Sequence, residues 1–164
     1  MSMIGNLLRV SKTELEDYLK DSSLLEDKIY DDETENENLV DIDKSWDGIL
    51  FLLTGQSLAT AEHNLVRVLF SGQLIDEEQD LGYGPAHYLT PEQVAELNSE
   101  ISTITSADLK QKFNPEKMTE QEVYPTIWNE GDDAFDYVAD GFSTLQNVFA
   151  DATKNGEAII TFLS

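Results

Sequence analysis

Apolar residues in this chain recur at three- and four-residue steps in several stretches and collect into short β-prone runs at its two ends. Residues 3–10 read as a strand, with Leu8 and Val10 alternating against Leu7 and Arg9. Ser11 with Glu14 three residues on has the spacing of a capping box and opens a helix through Leu15, Tyr18 and Leu19. A second helix starts near Asp43, because Trp46, Ile49, Leu50 and Leu53 share one helical face, and Gly55 is its natural stop. Thr90-Pro91, followed by Gln93, is another helix start, with Val94, Leu97 and Ile101 as the buried stripe. A short helix near Ser106 buries Leu109 and Phe113, and Pro115 and Pro125 flank a short helical turn. The longest periodic stretch runs from about 132 to 154, through Phe135, Val138, Phe142, Leu145, Phe149 and Ala152. Asn155-Gly156 ends it, and the closing AIITFLS has high β propensity.

Three segments resist periodicity. LVRVLF at 65–70 fits a buried strand or a helix end equally well. DDETENEN at 31–38 is an acidic polar loop, with neither the glycine nor the spaced glutamate of a calcium loop. Gly82, Gly84 and Pro85 mark an irregular loop. No repeat and no linker divides residues 1–164, so the pattern predicts one α+β domain. Its two terminal strands should share a small, mostly antiparallel sheet, with several helices packed against it.

Composition narrows the function classes. The 164 residues include no cysteine, which removes disulfides, thiolate metal sites and cysteine nucleophiles together. A chain of this length buries roughly two-thirds of its unfolded surface and needs no cross-link to fold. The first ten residues lack a basic n-region and a long apolar core, and no run approaches a membrane span. The expectation is a soluble cytoplasmic protein.

Charge changes the picture most. Against 33 acidic residues stand 10 basic ones, a formal net charge of −23. Such a field repels nucleic acid and anionic membranes, and it speeds encounter with a basic partner. No lysine or arginine lies between Arg67 and Lys110, or between Lys117 and Lys154. Acidity also keeps a protein soluble, so a binding face and a merely wet face both remain open.

The catalytic signatures are missing: no phosphate loop, no GxGxxG, no HExxH and no GxSxG. With only His63 and His87, a histidine-rich metal centre is excluded, and neither a metal nor a cofactor is expected. The segment most like a site is Asp80-Leu-Gly-Tyr-Gly-Pro-Ala-His-Tyr88. Its glycines allow close backbone approach, Tyr83, His87 and Tyr88 offer polar tips, and Asp80 could orient His87 and raise its pKa. Gly84 belongs with Asp80, Tyr83, His87 and Tyr88 in that candidate site, and the competing reading is a tight structural loop whose aromatics pack on the core. Trp46 and Trp128, the latter in YPTIW, either wall a pocket or anchor the core.

MIGNLLRVS, LVDIDKSWDGILFLLTG, LGYGPAHYLTPEQV, FNPEKM with EVYPTIW, and the closing strand lie in order along nearly the whole chain. Together they resemble the YfbM-like family, bacterial proteins of unknown function. The resemblance implies a YfbM-like α+β fold and brings no catalytic residues with it. It also marks departures: many relatives carry histidine where Leu50 stands, some also at Asp47, and many carry arginine at His87. A reactive site built on those positions would be incomplete here.

Two functions follow. The first is a non-enzymatic protein that docks a basic protein partner, such as a toxin, as an immunity protein does. Its contact would be Asp133, Asp136 and Asp140, spaced to share one helix face away from the Phe135–Phe142–Phe149 stripe. The alternative is a small-molecule-binding or hydrolytic protein using the 80–88 loop.

Overall fold

A computed structural model describes residues 2–31, 36–59 and 61–164. The acidic loop expected at 31–38 therefore lies partly outside the described residues. The chain forms β1 (Gly5–Val10), α1 (Lys12–Lys20), α2 (Ser23–Ile29), β2 (Leu39–Asp41), α3 (Trp46–Thr54), β3 (His87–Leu89), α4 (Pro91–Ile101), α5 (Ser106–Lys112), α6 (Pro115–Glu120), α7 (Asp132–Asn155) and β4 (Ala158–Leu163). The ambiguous 65–70 segment is neither strand nor α-helix: Asn64–Val68 is a 3₁₀ turn.

The expected capping devices hold. Ser11 Oγ accepts the Glu14 N–H at 3.1 Å while Glu14 accepts the Ser11 N–H at 2.9 Å. Thr90 and Gln93 repeat the exchange ahead of α4, and Thr105 with Asp108 forms a further box, not anticipated from the sequence, ahead of α5. Gly55 and Gly156 close α3 and α7 in the left-handed conformation. A residue with a side chain rarely adopts that backbone, so glycine is the natural terminator.

The sheet is antiparallel throughout, in the order β2-β1-β4-β3. The two terminal strands pair along their full length, from Gly5↔Leu163 to Val10↔Ala158. They read as almost continuous apolar runs because both faces of the sheet are covered. Leu7, Leu89 and Ile159 face the larger core, built with α3, α4 and α7 around Phe51, Phe142 and Phe149. Leu8, Val10, Ile160 and Phe162 face a smaller core, closed by Leu15 and Tyr18 of α1, Leu25 of α2, and Ile75 and Leu81. Leu19, expected on the buried face of α1, is 42% exposed.

Helices α3 and α7 cross closely. A Cβ at Gly48 would lie 2.8 Å from Val138 and 2.9 Å from Trp128, and one at Gly141 would run into Ser45. Glycine on both helices is what lets them touch, and this fixes the start of α3, where the functional questions concentrate.

Candidate functional site

The 80–88 loop is held from within. Asp80 Oδ1 accepts the N–H of Gly82 at 2.9 Å and of Gly84 at 3.1 Å, and the Leu81 N–H reaches Gly84 O at 3.0 Å. These backbone bonds favour the charged form and hold the Asp80 carboxyl below its ordinary range. Gly82 has φ of +132°, and a Cβ there would meet the backbone of Ser164 at 3.0 Å. The loop thus folds over the end of β4. Tyr83 stays 38% exposed, and Gly84 carries the second positive φ of the turn.

Asp80 does not orient His87, contrary to the sequence expectation. Beyond Gly84 the chain enters β3, where His87 pairs with Thr161, and this carries the imidazole to the Gly72 backbone. His87 Nδ1 accepts the Gly72 N–H at 3.1 Å, and its ring stands edge-on to Phe70 with centroids 5.4 Å apart. Burial lowers the His87 pKa instead of raising it, so the ring is neutral at pH 7. Tyr88 is half-buried against the smaller core. Its carbonyl accepts from Ser71 Oγ at 2.7 Å and Gln73 Nε2 at 2.9 Å.

The two tryptophans are core anchors. Trp128 is 1% exposed and donates Nε1–H to Val123 O at 2.7 Å. Trp46 donates to Met3 O at 2.9 Å and stacks on Tyr124, with centroids 5.6 Å apart. Trp46 borders a hollow of only about 10 Å³ beside Gly5 and Thr161, room for a single water. Trp128 borders a different, surface hollow with Thr119, Thr126 and Asn129. They do not wall one pocket between them.

On α7, Asp133, Asp136 and Asp140 are all exposed, as their spacing predicts. Among the described residues, no hydrogen bond or ion pair engages any of the three carboxylates. Among the described residues the ion pairs are Arg9–Glu157 at 2.9 Å and Lys110–Asp132 at 2.6 Å.

Asp47, marked in the sequence only as a departure from the family pattern, has a role that the sequence did not announce. It is 5% exposed in the first turn of α3. Oδ1 accepts the Leu58 N–H at 2.8 Å and Oδ2 accepts the Tyr124 N–H at 3.0 Å. One carboxylate therefore ties two distant loops to the helix. Desolvation raises its pKa, and the two N–H bonds oppose the rise. A lone aspartate inside the otherwise apolar Trp46–Leu53 run was the available signal. Leu50, one of the departures from the family pattern, is fully buried in the larger core. No hydrogen bond or ion pair joins Asp47 to His87. Among the described residues, no three His, Asp or Glu side chains are grouped to hold a metal ion, and no helix is long and apolar enough to cross a membrane.

Comparison with known proteins agrees with the fold. The chain superposes on the crystal structure of YfbM from Escherichia coli, a protein of unknown function, with a TM-score of 0.78 and 18% identity. The match covers 98% of this chain and 99% of that one. No curated protein matches the sequence. The YfbM-like resemblance of the sequence thus holds in three dimensions, and the model of the family described as "Domain of unknown function (DUF1877)" matches residues 1–162, so this chain belongs to that family.

Proposed function

We propose that this is a non-enzymatic, acidic binding protein that docks a basic protein partner, in the manner of a neutralising or immunity protein. The observation that carries the reading is the outer face of α7. There Asp133, Asp136 and Asp140 stand exposed, with no ion pair among the described residues, on a 24-residue helix whose other side is locked into the core. A helix anchored by Phe135, Phe142 and Phe149 presents its charges in a row on a fixed backbone, so binding has only side chains left to order. The net charge of −23 adds long-range attraction for a cationic surface. The Asp80 carboxylate and His87 Nδ1 are meanwhile engaged with backbone N–H groups of different segments and not with each other, which weighs against an Asp–His hydrolytic pair there.

Capture from native lysate identifies the partner, and kinetics then test the face. Charges of this kind act mainly on association rate. Replacing Asp133, Asp136 and Asp140 together by asparagine should slow association by about tenfold at low salt, flatten its salt dependence and leave melting unchanged. A captured partner without a basic surface, or an association rate indifferent to salt and to the triple substitution, refutes the reading.

A further inference from the structure

The chain's few cations are not evenly spread. Lys110, Lys112 and Lys117 are three of its ten basic residues and fall within eight positions. Lys110 is engaged: it pairs with Asp132 at 2.6 Å and lies over the Phe135 ring at 4.5 Å. Lys112 and Lys117 are exposed and carry no ion pair among the described residues, in a protein with a large excess of carboxylates.

Both line one groove, of about 360 Å³, floored by Phe51, Phe113 and Pro115 and bordered by Asn114. Lys117 Nζ stands 6.0 Å from the centre of the Phe51 ring. This groove shares Gln111 and Lys112 with an adjoining hollow of about 230 Å³ between α3 and α5, lined by Leu52, Leu53, Ile104 and Leu109. The result is a slot with an apolar end and a cationic end. Together the two parts reach the size range of small-molecule sites, which pair an apolar lining with a few placed polar groups.

The geometry points to a binding site for a small amphipathic carboxylate: an alkyl or aryl body in the Leu52–Leu53–Ile104–Leu109 compartment, with its anionic head between Lys112 and Lys117. Charge complementarity selects the head group. A molecule with a net charge of −23 repels anions everywhere unless local cations overcome the field, and here two lysines without an ion pair among the described residues line one apolar-floored groove. The orientation follows as well. Asp108, the acid on the apolar compartment, is turned back on its own helix, accepting the Thr105 N–H at 2.9 Å. It stays ionised, with its pKa lowered by those bonds, and so directs a negative head to the opposite, lysine end.

Octanoate is the probe, with acetate and octanol as controls, read by amide chemical shifts and calorimetry on the full chain. The expected result is saturable octanoate binding, with a dissociation constant on the order of 0.1–1 mM, the range open to a ligand of this size. The shifts should centre on residues 52, 53, 104, 109, 111, 112 and 117. K112Q/K117Q should weaken binding at least about tenfold with melting nearly unchanged, since charge at the head is removed and both side chains are exposed. Ile104→Trp fills the apolar end, keeps both lysines and should also abolish binding. Any one of four outcomes overturns the site: no saturable shift at millimolar octanoate, equal binding of acetate, equal binding of octanol, or undiminished binding by K112Q/K117Q. A protein partner that covers these residues and is not displaced by octanoate overturns it too.

Discussion

Asp47 and Asp80 each accept two backbone N–H groups, yet their environments drive them in opposite directions. Asp80 is exposed, its donors are two and four residues away, and its pKa is lowered by the bonds themselves. Asp47 is buried, its donors are 11 and 77 residues away, and desolvation outweighs the same kind of bonding to raise its pKa. Equal hydrogen-bond counts thus conceal different roles. Asp80 shapes one turn, and Asp47 holds the start of α3 against two loops from elsewhere in the chain. Burial decides between them, because an ion in a low-dielectric site loses hydration that two N–H groups only partly replace.

Removing the buried partner should break the contrast most sharply. Asp47→Ala leaves two N–H groups without an acceptor and should cost about 2–4 kcal/mol, measured by denaturant unfolding. A loss no larger than that of Asp80→Ala would erase the distinction. Gly48→Ala, one position along, places a methyl against Val138 and Trp128 and should cost about 1–3 kcal/mol through overpacking. Little loss there would mean that the α3–α7 approach yields easily, and that Asp47 holds a softer element than its burial suggests.

Titration sharpens the comparison further. The folded-state pKa of Asp47 lies above its unfolded value of 3.8, so the folded state binds this proton more tightly. Its contribution to stability is fully present below pH 3.8 and is lost as pH rises through the raised folded pKa. Asp80 has the opposite sign: its contribution is present above pH 3.8 and is lost as pH falls through the lowered folded pKa. Melting of the parent, Asp47→Asn and Asp80→Asn between about pH 2.5 and 6.5 reads both. The parent's advantage over Asp80→Asn should shrink in acid, while its advantage over Asp47→Asn should grow there. Parallel curves would refute the assignment.

The smallest effect belongs to the loop itself. Asp80→Ala should lower the melting temperature less than either α3 substitution, because water reaches the freed Gly82 and Gly84 N–H groups. Increased proteolytic cutting near Gly82, with global unfolding nearly unchanged, would locate the loss in the turn. A global loss matching that of Asp47→Ala would not fit a local role.

Those differences in range also explain what could be read in advance. Ser11 with Glu14, Thr90-Pro91 with Gln93, and the Phe135–Phe149 stripe are local codes, so helix starts and the long α7 were legible in the sequence. The pairing of the terminal strands was also foreseeable, since two β-prone ends beside amphipathic helices need a common surface to cover. Beta-strands of three residues, such as β2 and β3, carry too little periodicity to announce themselves. The loop at 80–88 was recognised as irregular, but its chemistry was misassigned because Asp80 and His87 are neighbours in sequence and bond to different backbones in space.

Sequence alone therefore determined the two terminal strands, the capped helix starts and the long α7, the acidity and the exposed row Asp133–Asp136–Asp140, because each depends on residues within a helical turn or two or on composition alone. Tertiary structure decided which polar groups are spent on the fold and which remain free. Asp47 meets Leu58 and Tyr124, Gly48 meets Val138 and Trp128, and Lys112 and Lys117 come to line one groove with Phe51, only after distant segments pack. Such encounters depend on long-range packing and desolvation, which leave no fixed spacing along the chain.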